Sequence, residues 1–127
     1  MARRILIADD HDDGRQALAA LLEFAGYHVE EAATGEEAIR IASWFRPDVA
    51  LIDLYLPEMN GFAVAKVLNI GGPDRPYLVA VTGYTAADTQ QRARDAGFDY
   101  FALKPWDTDA MLELLQGPDS VRRRTSA

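Results

Sequence analysis

Charged and hydroxyl side chains follow four short apolar runs of the sequence, at the point where each run ends. Asp9 and Asp10 follow the first of these runs and Asp53 follows the second, while Thr82 and Lys104 follow the next two. Clustered carboxylates favour a bound cation, because two unit charges ~4 Å apart repel by about 4 kcal/mol at an effective dielectric of 20. Ligation by oxygen alone is typical of Mg²⁺, which also bridges carboxylates to phosphate.

The same residue types have the chemistry needed to receive a phosphoryl group. A carboxylate can act as a nucleophile toward phosphorus, and an ammonium and a hydroxyl can hold the phosphoryl oxygens. Each residue alone also fits a simpler interpretation. Asp9 and Asp10 fit acids near a helix start, Thr82 fits a turn residue, and Lys104 fits a solvated surface lysine. Only their joint position at the ends of successive runs points to a site.

The elements that must position these residues alternate between apolar runs and amphipathic helices. This alternation predicts an α/β domain with a parallel sheet covered by helices on both faces. Four runs are apolar throughout and predict strands buried on both faces. A fifth run, Tyr27–Glu31, mixes polar and apolar residues and predicts an edge strand. In order, the predicted strands are Ile5–Ala8, Tyr27–Glu31, Val49–Ile52, Leu78–Val81 and Tyr100–Leu103.

The predicted helices are marked by apolar residues at helical spacing and by residues that start or stop a helix. Thr34 with Glu37 predicts a capping box, and Gly26 and Gly97 predict helix ends. The helices are expected over about residues 17–25, 34–42, 61–68, 85–96 and 108–115. Ligands of open parallel sheets lie outside the carboxyl ends of the strands, so the polar residues there share one crevice if the first, third, fourth and fifth strands are neighbours, an order that the pattern alone leaves open.

The composition narrows the class of protein. The 127 residues are 49% apolar and carry a net charge of −7, with no cysteine. These values predict one globular domain without disulfides, and they argue against autonomous nucleic-acid binding, which needs clustered basic residues. No apolar run approaches the ~20 residues that cross a bilayer. We expect a cytoplasmic domain over residues 1–117 and a flexible tail over residues 118–127.

In their order and spacing, these residues resemble the receiver domain of two-component response regulators. The resemblance covers roughly residues 4–115 and is specific only as a set. The matching segments are Asp9-Asp10, Asp53 with the residues up to Gly61, Thr82-Gly83, Lys104-Pro105, Pro47-Asp48 and Ala96-Gly97-Phe98-Asp99. The resemblance implies a flavodoxin-like, doubly wound (βα)5 fold with the strand order 2-1-3-4-5.

The resemblance also implies roles for the residues at the strand ends. Asp53 would accept a phosphoryl group from a phosphohistidine of a histidine kinase or phosphotransfer protein, with Mg²⁺ as cofactor. Asp10, Asp53 and the backbone carbonyl of Tyr55 would bind the metal directly. Asp9 would act through a water molecule, and Lys104 would contact the phosphoryl oxygens.

A conformational switch is implied as well. Thr82 would contact the phosphoryl group, and Phe101 stands where the family keeps its aromatic switch residue. The face expected to change lies around residues 86–96, 100–103 and 108–115, and it would bind a downstream protein. We expect no direct contact with nucleic acid or membrane, and either a monomer or a phosphorylation-dependent dimer.

Two other functions also use this fold or this chemistry. A Mg²⁺-dependent aspartyl-phosphate phosphohydrolase of the haloacid dehalogenase type usually has an acid two residues after its nucleophile, where this chain has Tyr55. A flavodoxin needs a hydroxyl-rich phosphate loop after the first strand, where this chain is acidic. We therefore expect a signalling domain rather than a turnover enzyme, either as a stand-alone regulator or as part of a longer chain such as a hybrid histidine kinase.

Overall fold

The computed structural model describes residues 3–83, 87–104 and 108–116 of the chain. Strands and helices alternate throughout, as the sequence predicts. The elements are β1 (Arg4–Ala8), α1 (Asp12–Phe24), β2 (His28–Ala32), α2 (Gly35–Phe45), β3 (Val49–Asp53), α3 (Gly61–Leu68) with a 3₁₀ turn (Asn69–Asp74), β4 (Tyr77–Thr82), α4 (Ala87–Ala96), β5 (Tyr100–Leu103) and α5 (Thr108–Gln116). The strands form one parallel sheet in the order β2-β1-β3-β4-β5. The predicted fold class and strand order are confirmed.

Helices cover both faces of the sheet, because alternate side chains of each central strand point in opposite directions. Ile5 and Ile7 of β1 pack in one cluster with Leu22 of α1 and Leu115 of α5. Leu6 belongs to the opposite cluster, which includes residues of α2, α3 and α4. A strand between two helical layers needs an apolar residue at every position, which explains the unbroken apolar runs of β1, β3 and β4.

The helix boundaries follow the predicted capping residues closely. The Thr34 hydroxyl accepts a hydrogen bond of 3.1 Å from the Glu37 amide, and the Glu37 carboxylate accepts one of 3.0 Å from the Ala33 amide. Gly26 and Gly97 have φ angles of +102° and +105°, a conformation that favours glycine after a helix. Helix α1 begins at residue 12, ahead of the apolar positions that mark it in the sequence, and the acids in its first turn stabilise the helix dipole.

The expectation that the fifth strand is buried on both faces is wrong. Tyr100 and Leu103 of β5 are 44% and 41% exposed. The reason is the strand order, which places β5 at an edge of the sheet with β4 as its neighbour. The predicted edge position of β2 is confirmed. Pro105 and the predicted tail, residues 118–127, lie outside the described residues, so the domain boundary stays a prediction.

A bidentate ion pair fixes the start of β4 against the segment that leads into β5. The two Arg75 Nη atoms donate to the Asp99 carboxylate at 2.9 and 2.6 Å, and the Leu78 amide donates to the same carboxylate at 2.8 Å. The Asp99 amide in turn donates to the Leu78 carbonyl at 2.8 Å. These contacts set the register of the two strands whose opposite ends carry Thr82 and Lys104.

Candidate functional site

The structure brings the predicted site residues together at the carboxyl edge of the sheet. Asp9 and Asp10 follow β1, Asp53 and Thr82 end β3 and β4, and Lys104 follows β5. Asp9, Asp53 and Thr82 are only 5%, 7% and 1% exposed. Three polar side chains are thus buried at one end of an otherwise apolar sheet, which is unusual unless they have partners or bind a ligand.

The ammonium of Lys104 connects the two buried carboxylates. Lys104 Nζ donates to Asp9 Oδ2 at 2.8 Å and to Asp53 Oδ2 at 3.2 Å. The Lys104 amide donates to the Thr82 carbonyl at 2.7 Å, which fixes the lysine beside the end of β4. The other oxygen of Asp53, Oδ1, accepts a hydrogen bond of 3.0 Å from the Tyr55 amide. Both oxygens of the Asp53 carboxylate therefore have defined partners.

This arrangement favours the charged form of both Asp9 and Lys104. Burial by itself would raise the pKa of Asp9, but the hydrogen bonds from Lys104 and the His11 amide, together with the lysine charge, hold it below its ordinary value of 3.8. Burial would likewise lower the pKa of Lys104, but the hydrogen bond to Asp9 and the charge of Asp53 raise it above 10.5. The site is therefore a pair of carboxylates with a permanent cation between them.

The lowered pKa of Asp9 makes the stability of the fold depend on pH. Asp9 titrates near 3.8 when unfolded and below that value when folded, so its contribution is complete above about pH 5 and is lost as the pH falls through the folded-state pKa. We expect the wild type to lose stability relative to Asp9→Asn when the pH is lowered from about 6 to about 3 in EDTA. Urea denaturation measures the difference; a constant or growing advantage of the wild type on acidification would contradict the prediction.

Asp10 completes an oxygen-rich cluster beside the lysine. Ligand atoms of Asp9, Asp10, His11 and Asp53 all lie within 4.8 Å of one another. The side chain of Asp10 is 38% exposed, so the cluster is open on the side of Asp10. Carboxylate oxygens at such separations fit a hard divalent cation, which commonly keeps several water molecules in addition to its protein ligands.

The sequence patterns did not identify Arg15, which fixes the acidic segment that follows β1. Its side chain is 10% exposed, and Nη1 donates to the Asp9 carbonyl at 2.8 Å and pairs with Asp12 at 2.8 Å. Its Nε donates to Glu31 of β2 at 3.0 Å. The available clue was spacing: Arg15 lies three residues before Leu18 on the buried face of α1, where a cation needs several acceptors.

Two aromatic rings and an arginine connect the loop after Asp53 to helix α4. The ring of Tyr55, a residue that is 45% exposed, packs edge-to-face on Phe62 with the centroids 6.4 Å apart. The guanidinium of Arg92 in α4 lies 4.2 Å above the Phe62 ring. Phe101 is half-buried against the same side of the sheet as Ala80, its partner in β4. The loop after Asp53 is thus connected to α4 through the ring of Phe62.

The sequence of the chain matches the model of the response regulator receiver domain over residues 5–116. The chain belongs to this family. A curated relative, the response regulator MprA of Mycobacterium sp. strain KMS, is 36% identical over 126 residues, which are 99% of this chain and 53% of the relative. This receiver domain therefore spans about half the length of the curated relatives it matches.

Solved structures agree with the family. The CheY-like receiver domain protein from Methanospirillum hungatei is 30% identical, with a TM-score of 0.88 and coverage of 98% of this chain and 99% of that one. The receiver domain of the sensor histidine kinase PA1611 from Pseudomonas aeruginosa is 25% identical, with a TM-score of 0.82 and coverage of 91% and 96%. That receiver was solved with a magnesium ion coordinated in its active-site cleft.

Receiver domains are signalling domains of two-component systems, and they interact with histidine kinases and downstream effectors. They are generally not turnover enzymes. Among the residues that the structure describes, no helix combines the length and the apolar character that a bilayer crossing requires.

Proposed function

We propose that this receiver domain accepts a phosphoryl group on Asp53 from a phosphohistidine of a histidine kinase or phosphotransfer protein. The observation that carries the proposal is the position of Lys104 Nζ, which lies 3.2 Å from Asp53 Oδ2 while it pairs with Asp9. A fixed cation beside the acceptor oxygen is the arrangement that stabilises charge on a transferring phosphoryl group. The neighbouring Thr82 is buried at the end of the next strand.

The transfer forms one bond and breaks one. An oxygen of Asp53 attacks phosphorus, the P–N bond to the donor imidazole breaks, and the leaving nitrogen takes a proton from solvent. The Tyr55 amide keeps the carboxylate oriented through its hydrogen bond to Oδ1. Lys104 exchanges a contact with the carboxylates for a contact with a phosphoryl oxygen, and the Thr82 hydroxyl donates a hydrogen bond to another phosphoryl oxygen. The product is an aspartyl phosphate.

The cluster of acids is proposed to hold Mg²⁺ during this transfer. Asp10, Asp53 and the backbone carbonyl of Tyr55 would bind the ion directly, and Asp9 would bind it through a water molecule. When bound, Mg²⁺ would supply positive charge that offsets the negative charge of the carboxylates and of the incoming phosphoryl group. Two observations support this assignment. The carboxylate oxygens of the cluster lie close together in this chain, and the related PA1611 receiver was solved with a magnesium ion in its active-site cleft.

Phosphorylation is proposed to switch a protein-binding face through Thr82 and Phe101. Leu78 and Ala80 of β4 face the cluster under α4, so alternation along the strand places Thr82 on that same side. Phe101 packs against the same cluster. Movement of Thr82 toward the phosphoryl group would leave space that the Phe101 ring can occupy. The affected face comprises α4, β5 and α5, where Tyr100 and Leu103 are already exposed.

The phosphohydrolase alternative has no support in the structure at the position it needs. Tyr55 occupies the position of the expected second acid, and its side chain has no carboxyl group that could act as the general acid. The Tyr55 ring packs on Phe62 instead. A signalling role in the cytoplasm, with a kinase as donor, a downstream protein as target and no direct nucleic-acid contact, is our proposal. A monomer or a phosphorylation-dependent dimer stays the expected state.

The function is tested by incubation with acetyl phosphate and Mg²⁺, followed by intact-protein mass spectrometry. We expect the wild type to gain the mass of one phosphoryl group, and EDTA to prevent the gain. Asp53→Asn should gain nothing, because an amide oxygen does not replace the nucleophilic carboxylate. Asp74→Asn, at an exposed acid of the 3₁₀ turn, serves as the matched control and should gain mass as the wild type does. A gain that persists in Asp53→Asn, or an unmodified wild type, would contradict the proposal.

A further inference from the structure

We infer that His11 supplies a nitrogen ligand to the metal site, which raises the affinity of the site for Zn²⁺ and Co²⁺ above that of a site built of oxygen atoms alone. The inference deepens the proposed function, because it concerns the same acidic cluster, but it requires only that the cluster binds a divalent ion. Mixed nitrogen and oxygen ligation at this edge would distinguish the site from one built of oxygen atoms alone.

The position of the imidazole carries the inference. His11 Nδ1 lies 3.2 Å from Asp9 Oδ1 and 3.4 Å from Asp10 Oδ1, and it belongs to the group of ligand atoms that also includes Asp53. Atoms bound ~2.1 Å from one ion are about 3.0 Å apart at right angles and about 3.4 Å apart at tetrahedral angles. The 3.4 Å separation from Asp10, the acid proposed to bind the ion directly, therefore matches two neighbouring ligands of a single ion.

The exposed His11 ring can turn toward an ion if it gives up the 3.2 Å contact between its Nδ1 and Asp9 Oδ1. His11 is the N-cap residue of α1, yet its side chain makes no capping hydrogen bond. The side chain is 76% exposed, so packing does not oppose a small rotation. The backbone is fixed instead, because the His11 amide donates to Asp9 Oδ1 at 2.9 Å. A fixed backbone with a movable ring brings the nitrogen to the cluster without disturbing the helix.

The chemistry of the ions explains why a histidine changes their order of binding. Imidazole suits zinc, cobalt and related transition ions, whereas Mg²⁺ prefers oxygen and keeps much of its water. A nitrogen ligand therefore adds affinity for the former group and little for Mg²⁺. Lys104 occupies the opposite side of Asp9, bound to Oδ2, and leaves Oδ1 facing the histidine.

The test uses the tag-free chain, which contains only two histidines, His11 and His28. Titration calorimetry measures Zn²⁺ affinity, amide chemical-shift titration measures Mg²⁺ affinity, and pulsed electron paramagnetic resonance detects ¹⁴N coupling to bound Mn²⁺. We expect the wild type to show nitrogen coupling and to bind Zn²⁺ at least about tenfold more tightly than Mg²⁺. His11→Asn should lose the coupling and at least about tenfold of its Zn²⁺ affinity, with Mg²⁺ affinity within twofold.

His28→Asn is the matched control, because His28 is exposed at the start of β2 and outside the acidic cluster. This variant should keep the Zn²⁺ affinity, the Mg²⁺ affinity and the nitrogen coupling of the wild type. Absence of nitrogen coupling in the wild type would overturn the inference. So would an equal loss of Zn²⁺ and Mg²⁺ affinity in His11→Asn, because His11 would then only position the acids. Phosphorylation of Asp53 is measured separately by mass spectrometry. Nitrogen ligation without a phosphoryl gain would refute only the proposed function. A phosphoryl gain without nitrogen ligation would refute only this inference.

Discussion

Replacement of Lys104 by methionine should reduce the rate of Asp53 phosphorylation by about 10²–10³-fold. Lys104 Nζ is the group that contacts both Asp53 Oδ2 and Asp9 Oδ2, so Lys104→Met leaves the developing phosphoryl charge without its protein cation. Methionine retains a long apolar stem and therefore preserves most of the packing. The rate is measured as phosphoryl gain from acetyl phosphate at saturating Mg²⁺.

The same variant should be less stable when divalent cations are absent. Two carboxylates that are 5% and 7% exposed would face each other without a counter-charge. Removal of one partner from a buried ion pair costs about 3–5 kcal/mol, and we expect about 2–3 kcal/mol here because one edge of the site is open to water. Urea denaturation in EDTA measures the loss, and added Mg²⁺ should restore more stability to Lys104→Met than to the wild type.

Lys66, the other lysine of the chain, offers the matched control. It is exposed on α3, so Lys66→Met should change neither the phosphorylation rate nor the stability in EDTA by a large amount. An unchanged rate in Lys104→Met would show that the lysine does not contact the phosphoryl group. An unchanged stability in EDTA would show that the two carboxylates do not depend on its charge.

Gly61→Ala should destabilise the fold by roughly 2–3 kcal/mol and displace the acceptor carboxylate. A Cβ atom on Gly61 would overlap the carbonyl oxygen of Asp53 and lie 2.8 Å from the Cα of Leu54. The Gly61 amide also donates to the Leu54 carbonyl at 2.9 Å, so the two segments cannot separate without the loss of that hydrogen bond. Either the start of α3 or the end of β3 must move.

Gly14→Ala provides a control with the opposite sign. Gly14 lies in α1, and a Cβ atom there would meet no atom within 4 Å. Alanine in a helix is more favourable than glycine by about 0.5–1 kcal/mol, so this variant should be more stable than the wild type. Thermal denaturation of both variants and the phosphorylation rate of Gly61→Ala check the prediction; a Gly61→Ala variant with wild-type stability and rate would contradict it.

The sequence alone determined the fold class and the identity of the polar residues at the strand ends. Strands that lie between two layers of helices must be apolar at each position, so the change to Asp9, Asp53 and Thr82 marks where β1, β3 and β4 leave the core. The predicted strand and helix ends mostly lie within one or two residues of the observed ones, because caps such as Thr34 and Gly26 act through local backbone geometry.

The tertiary structure alone decided which of these residues meet, and how closely. Lys104 pairs with Asp9 and Asp53 across 95 and 51 residues of sequence, and that proximity depends on strand order, which local patterns leave open. The exposure of β5 and the burial of Arg15 also follow from neighbours that are distant in the chain. Local propensities act over a few residues, whereas burial, ion pairing and the close approach at Gly61 arise only when separate segments pack together.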